Sequence, residues 1–273
     1  MSPENTKKHI ASRIGTMAIA GGLILLFLIF ITVPLISLFT RVSPEDFVTA
    51  LSSPLARDAL WLSAVTATFS TAVVVILGTP LAYVNARFPY RGRDIVDTLT
   101  DLPIVLPPTV AGLALLMAFG RNGLLGQYLD LFGIQIAFTT VAVVIAQIFV
   151  ASPFYIRQAR SSFESVDIDY ESAARTLGAT PIQTFFKVTL PLAAGSLLSG
   201  IIMTFARALG EFGATLMFAG NFQGKTQTMP LAIYGEMQSD MALSVALAIL
   251  LVVFSFGIIL IVKYLGRRER NYA

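Results

Sequence analysis

The sequence has no cysteine, and its only histidine is His9, close to the first residue. These two features exclude a disulfide framework, a thiolate metal site and any metal or proton-relay site that needs several histidines. Charged residues are also few, at 13% of the chain, against about 25% in typical soluble domains. The patterns GxxxxGKS, GxxxxGKT, GxSxG and HExxH do not occur. We therefore expect neither a phosphate-loop ATP site nor a hydrolase centre on this chain.

Long apolar runs make up most of the chain, with 55% hydrophobic residues and a mean hydropathy of +0.76. A helix of about 20 apolar residues crosses a hydrocarbon core of about 30 Å. The first run is longer than the roughly 7–15 apolar residues of a secretory signal, so we interpret it as a retained helix. The sequence predicts an all-α integral membrane protein with six transmembrane helices, at Thr16–Phe39, Leu60–Ala86, Pro103–Phe119, Ala137–Tyr155, Leu192–Gly220 and Met241–Leu265.

The positions of the lysines and arginines indicate how these helices are oriented. With both termini in the cytoplasm, 14 of the 19 basic residues fall inside, as the positive-inside rule requires. We therefore expect an N-in, C-in topology. The net charge of +3 comes from basic residues at helix ends, which indicates a membrane and no nucleic acid. The inside residues are Lys7, Lys8, Arg13, Arg87, Arg91, Arg93, Arg157, Arg160, Arg175, Lys187, Lys263, Arg267, Arg268 and Arg270.

No polar stretch is long enough for a separate soluble domain. We expect an N-terminal tail, first helix and outer loop at 1–58, and a transmembrane domain of helices two to six at 59–265. A basic cytoplasmic tail follows at 266–273. The longest polar segment, at 166–191, lies between the fourth and fifth helices and is cytoplasmic in this topology.

This polar segment has the pattern of two short helices joined by a turn. Ala173, Ala174 and Leu177 give the first helix an apolar stripe. Gly178 then occupies the position where many helices end in a left-handed residue. Such a pair beside a membrane is either a docking device for a soluble partner or an ordinary surface loop.

The second helix of the segment has strong start signals. Thr180 is placed as its N-cap, Pro181 as its first residue and Gln183 as the partner in a capping box. We expect Leu190-Pro191 to stop it, because proline lacks the N–H that a helix interior needs.

The same segment resembles the cytoplasmic loop of the membrane subunits of ABC-type importers, written EAA, three residues, Gly, nine residues, Ile, one residue, Leu-Pro. Here Val188 stands in place of Ile, the motif's Glu falls on Ser172, and Glu171 lies one position early. The resemblance implies that ATPase subunits hold this coupling loop in a cleft and bind ATP and Mg, with no cofactor on this chain. The residues expected to make the coupling are Glu171, Ser172, Ala173, Ala174, Gly178, Thr180, Pro181, Leu190 and Pro191.

The fifth predicted helix carries two charges, Arg207 and Glu211, which are i,i+4 neighbours near the bilayer middle. A lone arginine there costs about 2.5–3.5 kcal/mol, so the two should pair inside the bundle. The pair is either a structural pin between helices or part of a gate. Small residues four apart, such as Gly195 and Ser199, allow close helix approach.

A translocation pathway for a charged substrate needs polar but mostly neutral walls, because a strongly charged pocket of opposite sign would trap the substrate. The candidate pathway or gate residues are Thr109, Arg207 and Glu211. Ser199 and Thr204 are further lining candidates, although their hydroxyls could instead bond to their own helix. Pro107-Pro108 and Pro153 each remove a helical hydrogen bond, which is typical of broken helices in transporters and also of plain kinks.

Two further stretches extend the resemblance. Their residues closely resemble the molybdate importer permeases. The first stretch consists of Ala208–Thr215, Phe218–Asn221 and Thr226–Tyr234, and the second of Asp101–Pro103, Leu106–Gly112 and Phe119–Gly126. Sulfate and tungstate permeases share parts of these patterns. The resemblance implies a multi-pass permease of the cytoplasmic membrane, paired as a homodimer, that receives molybdate or tungstate from an extracytoplasmic binding protein.

Three alternatives stay open from the sequence. A sulfate or thiosulfate permease of the same kind would share most of the motifs. An ion-coupled secondary transporter would need no docking loop and would be expected to carry several intramembrane carboxylates, of which only Glu211 is recognisable. A membrane scaffold or receptor subunit fits the small-residue spacing and the charges of the fifth helix less well.

Overall fold

The computed structural model describes residues 3–270, so Met1, Ser2 and the last three residues of the predicted basic tail 266–273 lie outside the described residues. The described chain contains α-helices, a short π segment, turns and loops. The helices are α1 (Pro3–Phe39), α2 (Pro44–Ser52), α3 (Pro54–Arg87), α4 (Arg93–Val105), α5 (Pro108–Phe119), α6 (Gly126–Asp130), α7 (Thr140–Glu164), α8 (Ile168–Thr176), α9 (Pro181–Thr184), α10 (Leu190–Leu209), α11 (Gly213–Ala219), α12 (Met229–Glu236) and α13 (Met241–Arg270).

Five stretches of helix are long and apolar enough to cross a membrane. They lie in α1, α3, α7, the combined α9–α10 rod and α13, which confirms five of the six predicted spans as helices. The predicted ends were less accurate. Helix α3 starts at Pro54 because Ser53 accepts the N–H of Ala56 at 3.1 Å as its cap. Helix α7 runs on to Glu164, nine residues past the predicted end at Tyr155.

The third predicted span, Pro103–Phe119, falls on a bent pair of helices, which is the broken-helix alternative that Pro107-Pro108 left open. Helices α4 and α5 meet at an angle of 115°. The break lies at Leu106 and Pro107, where Pro107 and Pro108 have no N–H for the helix to use. If the pair counts as one crossing, the structure has six spans.

The ion pairs between α4 and α7 explain why both helices extend beyond the apolar runs. Arg157 Nε donates to Asp101 Oδ1 at 2.5 Å, and Arg160 Nη1 donates to Asp97 Oδ2 at 2.6 Å. The charged last turns of α7 therefore have partners on α4, so the helix continues where the hydrophobic pattern ends.

The centre of the bundle is formed by α3, α7 and α10. Between α3 and α7, Ser70 Oγ donates to the Oε1 of Gln147 at 2.9 Å, and Gln147 Nε2 donates to Thr66 Oγ1 at 3.2 Å. All three side chains are buried. Such hydrogen bonds between apolar helices satisfy polar groups that would otherwise be stranded in hydrocarbon.

Glycines bring several helices into close contact, as the small-residue spacing predicts for part of α10. Gly200 of α10 faces Gln158 of α7, where an added Cβ would lie 3.0 Å from the Gln158 Cγ. Gly195 has no neighbour within 4 Å of such a Cβ, and Ser199 is exposed. The predicted close approach at those two positions is therefore not made within one chain.

Helix α1 stands apart from this centre. Its apolar stretch Ile19–Phe39 has none of its residues buried. Helix α3, by contrast, buries a third of its most apolar window against the other helices. The core of the protomer is therefore built without the first helix.

Candidate functional site: a capped helix pair and a buried ion pair

The turn that ends α8 has the predicted form. Gly178 has φ of +90°, in the left-handed region that favours glycine. Its N–H donates to the carbonyl of Arg175 at 2.9 Å, and the N–H of Ala179 donates to that of Ala174 at 3.0 Å. An added Cβ at Gly178 would meet nothing within 4 Å. The need for glycine is thus conformational and not steric.

The start of α9 also has the predicted form. Gln183 N–H donates to Thr180 Oγ1 at 3.3 Å, and Thr180 N–H donates to Gln183 Oε1 at 2.9 Å. This is the reciprocal capping box, with Pro181 in the first turn. The helix pair α8 and α9 is therefore fixed by local sequence on both sides of Gly178.

The second helix does not stop at Leu190-Pro191, and that prediction is wrong. Helix α9 continues through a π segment at Phe185–Thr189 into α10. Pro191 cannot donate to a carbonyl four residues back. The helix instead has a wider turn here, in which the Leu190 N–H donates to the carbonyl of Phe185, five residues back. One continuous helical rod thus joins the helix pair to the fifth span.

The outer surface of the helix pair is apolar although it lies outside the long hydrophobic runs. Leu177 is 88% exposed, Ile182 71% and Phe186 60%. Among the predicted coupling residues, Leu190 is partly buried and packs against the cluster around Tyr155 and Phe163. Exposed on the helix pair and the start of α10 are Ser172, Ala173, Gly178, Thr180 and Pro181 with Pro191, while Ala174 is half-buried.

Glu171 faces inward and is 2% exposed. Its Oε1 accepts from Arg87 Nε at 2.9 Å and from Thr189 Oγ1 at 2.9 Å. Arg87 Nη2 also donates to the carbonyl of Val166 at 2.8 Å. Glu171 therefore holds the helix pair to the end of α3 and to the π segment, and its carboxylate is not part of the exposed surface.

Neither Arg87 nor Thr189 is predicted from the sequence as a site residue. Arg87 is there only a positive charge at the end of a span, and Thr189 is the spacer residue of the loop motif. The signal that could have indicated this contact is an arginine at a helix end, Arg87, together with an acidic residue in a later polar segment, Glu171. Nothing in the local pattern of either residue identifies the other as its partner.

Arg207 and Glu211 form the predicted ion pair, with Arg207 Nη2 2.6 Å from Glu211 Oε2. The prediction that both residues lie on one helix is wrong. Helix α10 ends at Leu209 and α11 begins at Gly213, so Glu211 lies in the break between them. The other oxygen of Glu211 accepts the N–H of Ala214 at 2.8 Å and so supports the start of α11. Glycines on both sides of the break lower the propensity for a continuous helix. The predicted single helix over Leu192–Gly220 is wrong for this reason.

The first turn of α5 lies against the first turn of α11. An added Cβ at Gly213 would come within 2.7 Å of Pro108 Cβ and 3.4 Å of the Thr109 nitrogen. The structure thus brings the segment of Thr109, which is exposed, to the helix start that Glu211 supports. The second halves of two broken spans, α5 and α11, therefore begin side by side next to the ion pair.

The two further lining candidates, Ser199 and Thr204, differ in the hydrogen bonds of their hydroxyl groups. Ser199 Oγ donates to the Gly195 carbonyl of its own helix at 3.3 Å. Thr204 is fully buried, and its hydroxyl has no hydrogen-bond partner among the described residues. The expected bond back to its own helix is therefore absent for Thr204. Among the described residues no group of three or more His, Cys, Asp or Glu side chains could hold a metal ion.

Known proteins resemble this chain in sequence and in fold. Residues 74–271 match the family described as binding-protein-dependent transport system inner membrane component. The chain is 46% identical over 245 residues to the molybdenum transport system permease protein ModB of Mycobacterium bovis, covering 89% of this chain and 90% of that protein. It is 38% identical over 189 residues to the sulfate transport system permease protein CysT of Salmonella typhimurium, covering 67% and 68%.

A solved structure has the same fold. It is a chain from a bacterial ABC transporter involved in the import of the acidic polysaccharide alginate, with a TM-score of 0.75 at 18% identity. The match covers 97% of this chain and 99% of the other. At this identity the similarity shows the arrangement of helices alone.

Proposed function

This chain belongs to the family of binding-protein-dependent transport system inner membrane components, and we propose that it is the permease of an ATP-driven importer for a tetrahedral oxyanion, molybdate or tungstate. As a family member with several apolar helices it is a multi-pass protein of the cell membrane. Its partners are ABC ATPase subunits inside and an oxyanion-binding protein outside, and a second copy of the chain completes the pathway.

One observation supports the importer assignment above the others. The capped helix pair α8 and α9 presents exposed apolar side chains between the fourth and fifth spans, and it continues without interruption into α10. A secondary transporter has no use for such a surface. In the proposed topology the pair faces the cytoplasm, where ATPase subunits can bind it.

The substrate is inferred from the relatives. The identity to the molybdenum permease is 46% over 89% of this chain, against 38% over 67% for the sulfate permease. Both substrates are tetrahedral dianions, so a sulfate permease remains the second candidate. The Arg207–Glu211 pair, beside the starts of α5 and α11, is proposed as the gate, since its glutamate is buried and its arginine partly buried at the break between α10 and α11.

The test is uptake by the complete complex in proteoliposomes. We expect uptake of radioactive molybdate that requires ATP, the ATPase subunits and the binding protein. Unlabelled tungstate should compete at concentrations where sulfate does not. Stronger competition by sulfate than by tungstate would reassign the substrate, and uptake without the ATPase subunits would exclude an ABC importer.

A further inference from the structure

We propose that Arg87, Glu171 and Thr189 form a latch that positions the helix pair α8–α9 and couples its movement to α10. This inference rests on the proposed function for its transport consequence. Its structural part, that the latch fixes the helix pair to α3, can be tested on the chain alone.

The first arm of the latch joins α8 to the end of α3. Both Nε and Nη2 of Arg87 lie 2.9 Å from Glu171 Oε1. Nη2 also donates to the Val166 carbonyl, directly before the Asp167 N-cap of α8. One guanidinium thus fixes both the entry to α8 and its middle. Arginine can do this because its donors form a planar fork, which lysine does not have.

The second arm joins α8 to the π segment. Thr189 Oγ1 donates to the same oxygen, Glu171 Oε1, at 2.9 Å. Thr189 is fully buried and is the last residue of the π segment, directly before Leu190 begins α10. The carboxylate of α8 therefore contacts the rod that carries the fifth span.

The burial of the Arg87–Glu171 pair indicates that the pair fixes the position of α8 relative to α3 more than it stabilises the fold. The side chains of Arg87 and Glu171 are 10% and 3% exposed. A buried ion pair gains little stability over apolar residues of the same size, because both charges lose their water. Its directional contacts do, however, define one arrangement of the parts it joins. π segments are also frequently found at functional sites.

Aromatic side chains surround the latch and support the same arrangement. Tyr83, one turn before Arg87 on α3, meets Phe185 of the π segment with ring centroids 4.8 Å apart. It also meets Phe163 of α7 at 5.5 Å. These contacts keep α3 and the rod packed when the polar latch is cut. A latch variant should therefore still fold.

Two substitutions separate the arms. Glu171→Gln keeps the shape but removes the charge that holds Arg87, whereas Thr189→Val keeps the ion pair and removes only the donor on the rod. Arg93→Gln is the control, because it cuts another ion pair of the same region, to Glu164 at 3.4 Å, in which the side chains are 29% and 44% exposed.

The first measurement uses the purified chain without its partners. Because the chain has no cysteine, spin labels at Leu177→Cys on the helix pair and Thr98→Cys on α4 report the distance between these two elements without background labelling. The latch predicts that Glu171→Gln broadens this distance distribution, whereas Thr189→Val and Arg93→Gln leave it narrow. An unchanged distribution in Glu171→Gln overturns the latch, whether or not the chain transports oxyanions.

The second measurement uses the complete complex with its ATPase subunits and binding protein. Glu171→Gln and Thr189→Val should each lower the ratio of substrate-stimulated to basal ATPase activity, by about two- to thirty-fold if the coupling free energy is typical. Arg93→Gln should keep the wild-type ratio. A wild-type ratio in Thr189→Val overturns the coupling to α10. A wild-type complex without substrate stimulation would instead contradict the proposed function, and the distance measurement alone would then judge the latch.

Discussion

At the scale of single residues, the Arg207–Glu211 pair is unequal in its burial. The arginine side chain is 27% exposed and the glutamate side chain 1%. Removing the arginine strands a buried carboxylate, with a cost of up to about 3–5 kcal/mol for a fully buried pair. Removing the glutamate leaves an arginine that can still reach the surface, together with an Ala214 N–H that loses its acceptor.

We therefore expect Arg207→Ala to lower the thermal unfolding temperature in detergent more than Glu211→Ala does. Both should impair molybdate uptake. Arg121→Ala is the control, because Arg121 is 71% exposed in its pair with Asp130. Wild-type stability and uptake in both single variants would show that the charges act separately.

The double variant Arg207→Met with Glu211→Leu distinguishes a structural pair from a gate. Apolar replacements remove both charges together, so folding should recover relative to Arg207→Ala. A gate predicts a folded complex that does not transport molybdate. Uptake at the wild-type rate by the double variant would show that the pair is only structural.

Gly178 offers a test of coupling that does not involve packing. Valine at φ of +90° is strained by about 1–2 kcal/mol, while its Cβ would meet no atom within 4 Å. Gly178→Val should leave membrane insertion intact and abolish substrate-stimulated ATPase activity. Gly92→Val is the matched control, because Gly92 has φ of +88°, meets nothing within 4 Å of an added Cβ and belongs to neither α8 nor α9. Normal stimulation in Gly178→Val would exclude this turn as a coupling element.

Local signals at this scale were readable from the sequence, and distant ones were not. The caps at Gly178 and Thr180 depend on residues within five positions, so their types were sufficient. The contact between Arg87 and Glu171 joins residues 84 positions apart. No periodicity encodes such a partner, and it becomes visible only when α3 and α8 are placed in space.

At the scale of helices, the broken spans were predictable to different degrees. Two adjacent prolines mark the break between α4 and α5. The break between α10 and α11 has no proline, and glycines alone are weak signals in a membrane helix. The π segment precedes Pro191, and its last residue, Thr189, bonds to Glu171 of α8. The sequence pattern contains the proline but not this distant contact, so it predicts that the helix stops.

The contact between the half-helices α5 and α11 leads to a prediction at the same scale. An added Cβ at Gly112 would lie 2.6 Å from the Ala214 carbonyl oxygen, which is backbone and cannot move aside. Gly112→Val should push the two helices apart and destabilise the protein by about 1–3 kcal/mol, measured by thermal unfolding. Gly257→Val in α13, where a Cβ meets nothing within 4 Å, should be neutral. Equal unfolding temperatures for both variants would contradict this packing.

At the scale of the whole molecule, the topology can be tested directly. Leu177 is 88% exposed on the helix pair, and Phe132 is 81% exposed in the loop after α6. The N-in, C-in expectation places Leu177 in the cytoplasm and Phe132 outside. A membrane-impermeant thiol reagent added to intact cells should label Phe132→Cys and not Leu177→Cys. The opposite pattern would invert the orientation.

The contact between Ser70 and Gln147 also has a consequence for the order of synthesis. The two residues are 77 positions apart, so at about 5–20 residues per second the ribosome delivers the amide roughly 4–15 s after the hydroxyl. The apolar stretch Ile19–Phe39 of α1 has no buried residue, so this helix can enter the bilayer as soon as it emerges. We expect α3 to stay beside the insertion machinery until α7 arrives. Nascent chains ending before Gln147 should crosslink to that machinery through Ser70→Cys, and chains that include α7 should not.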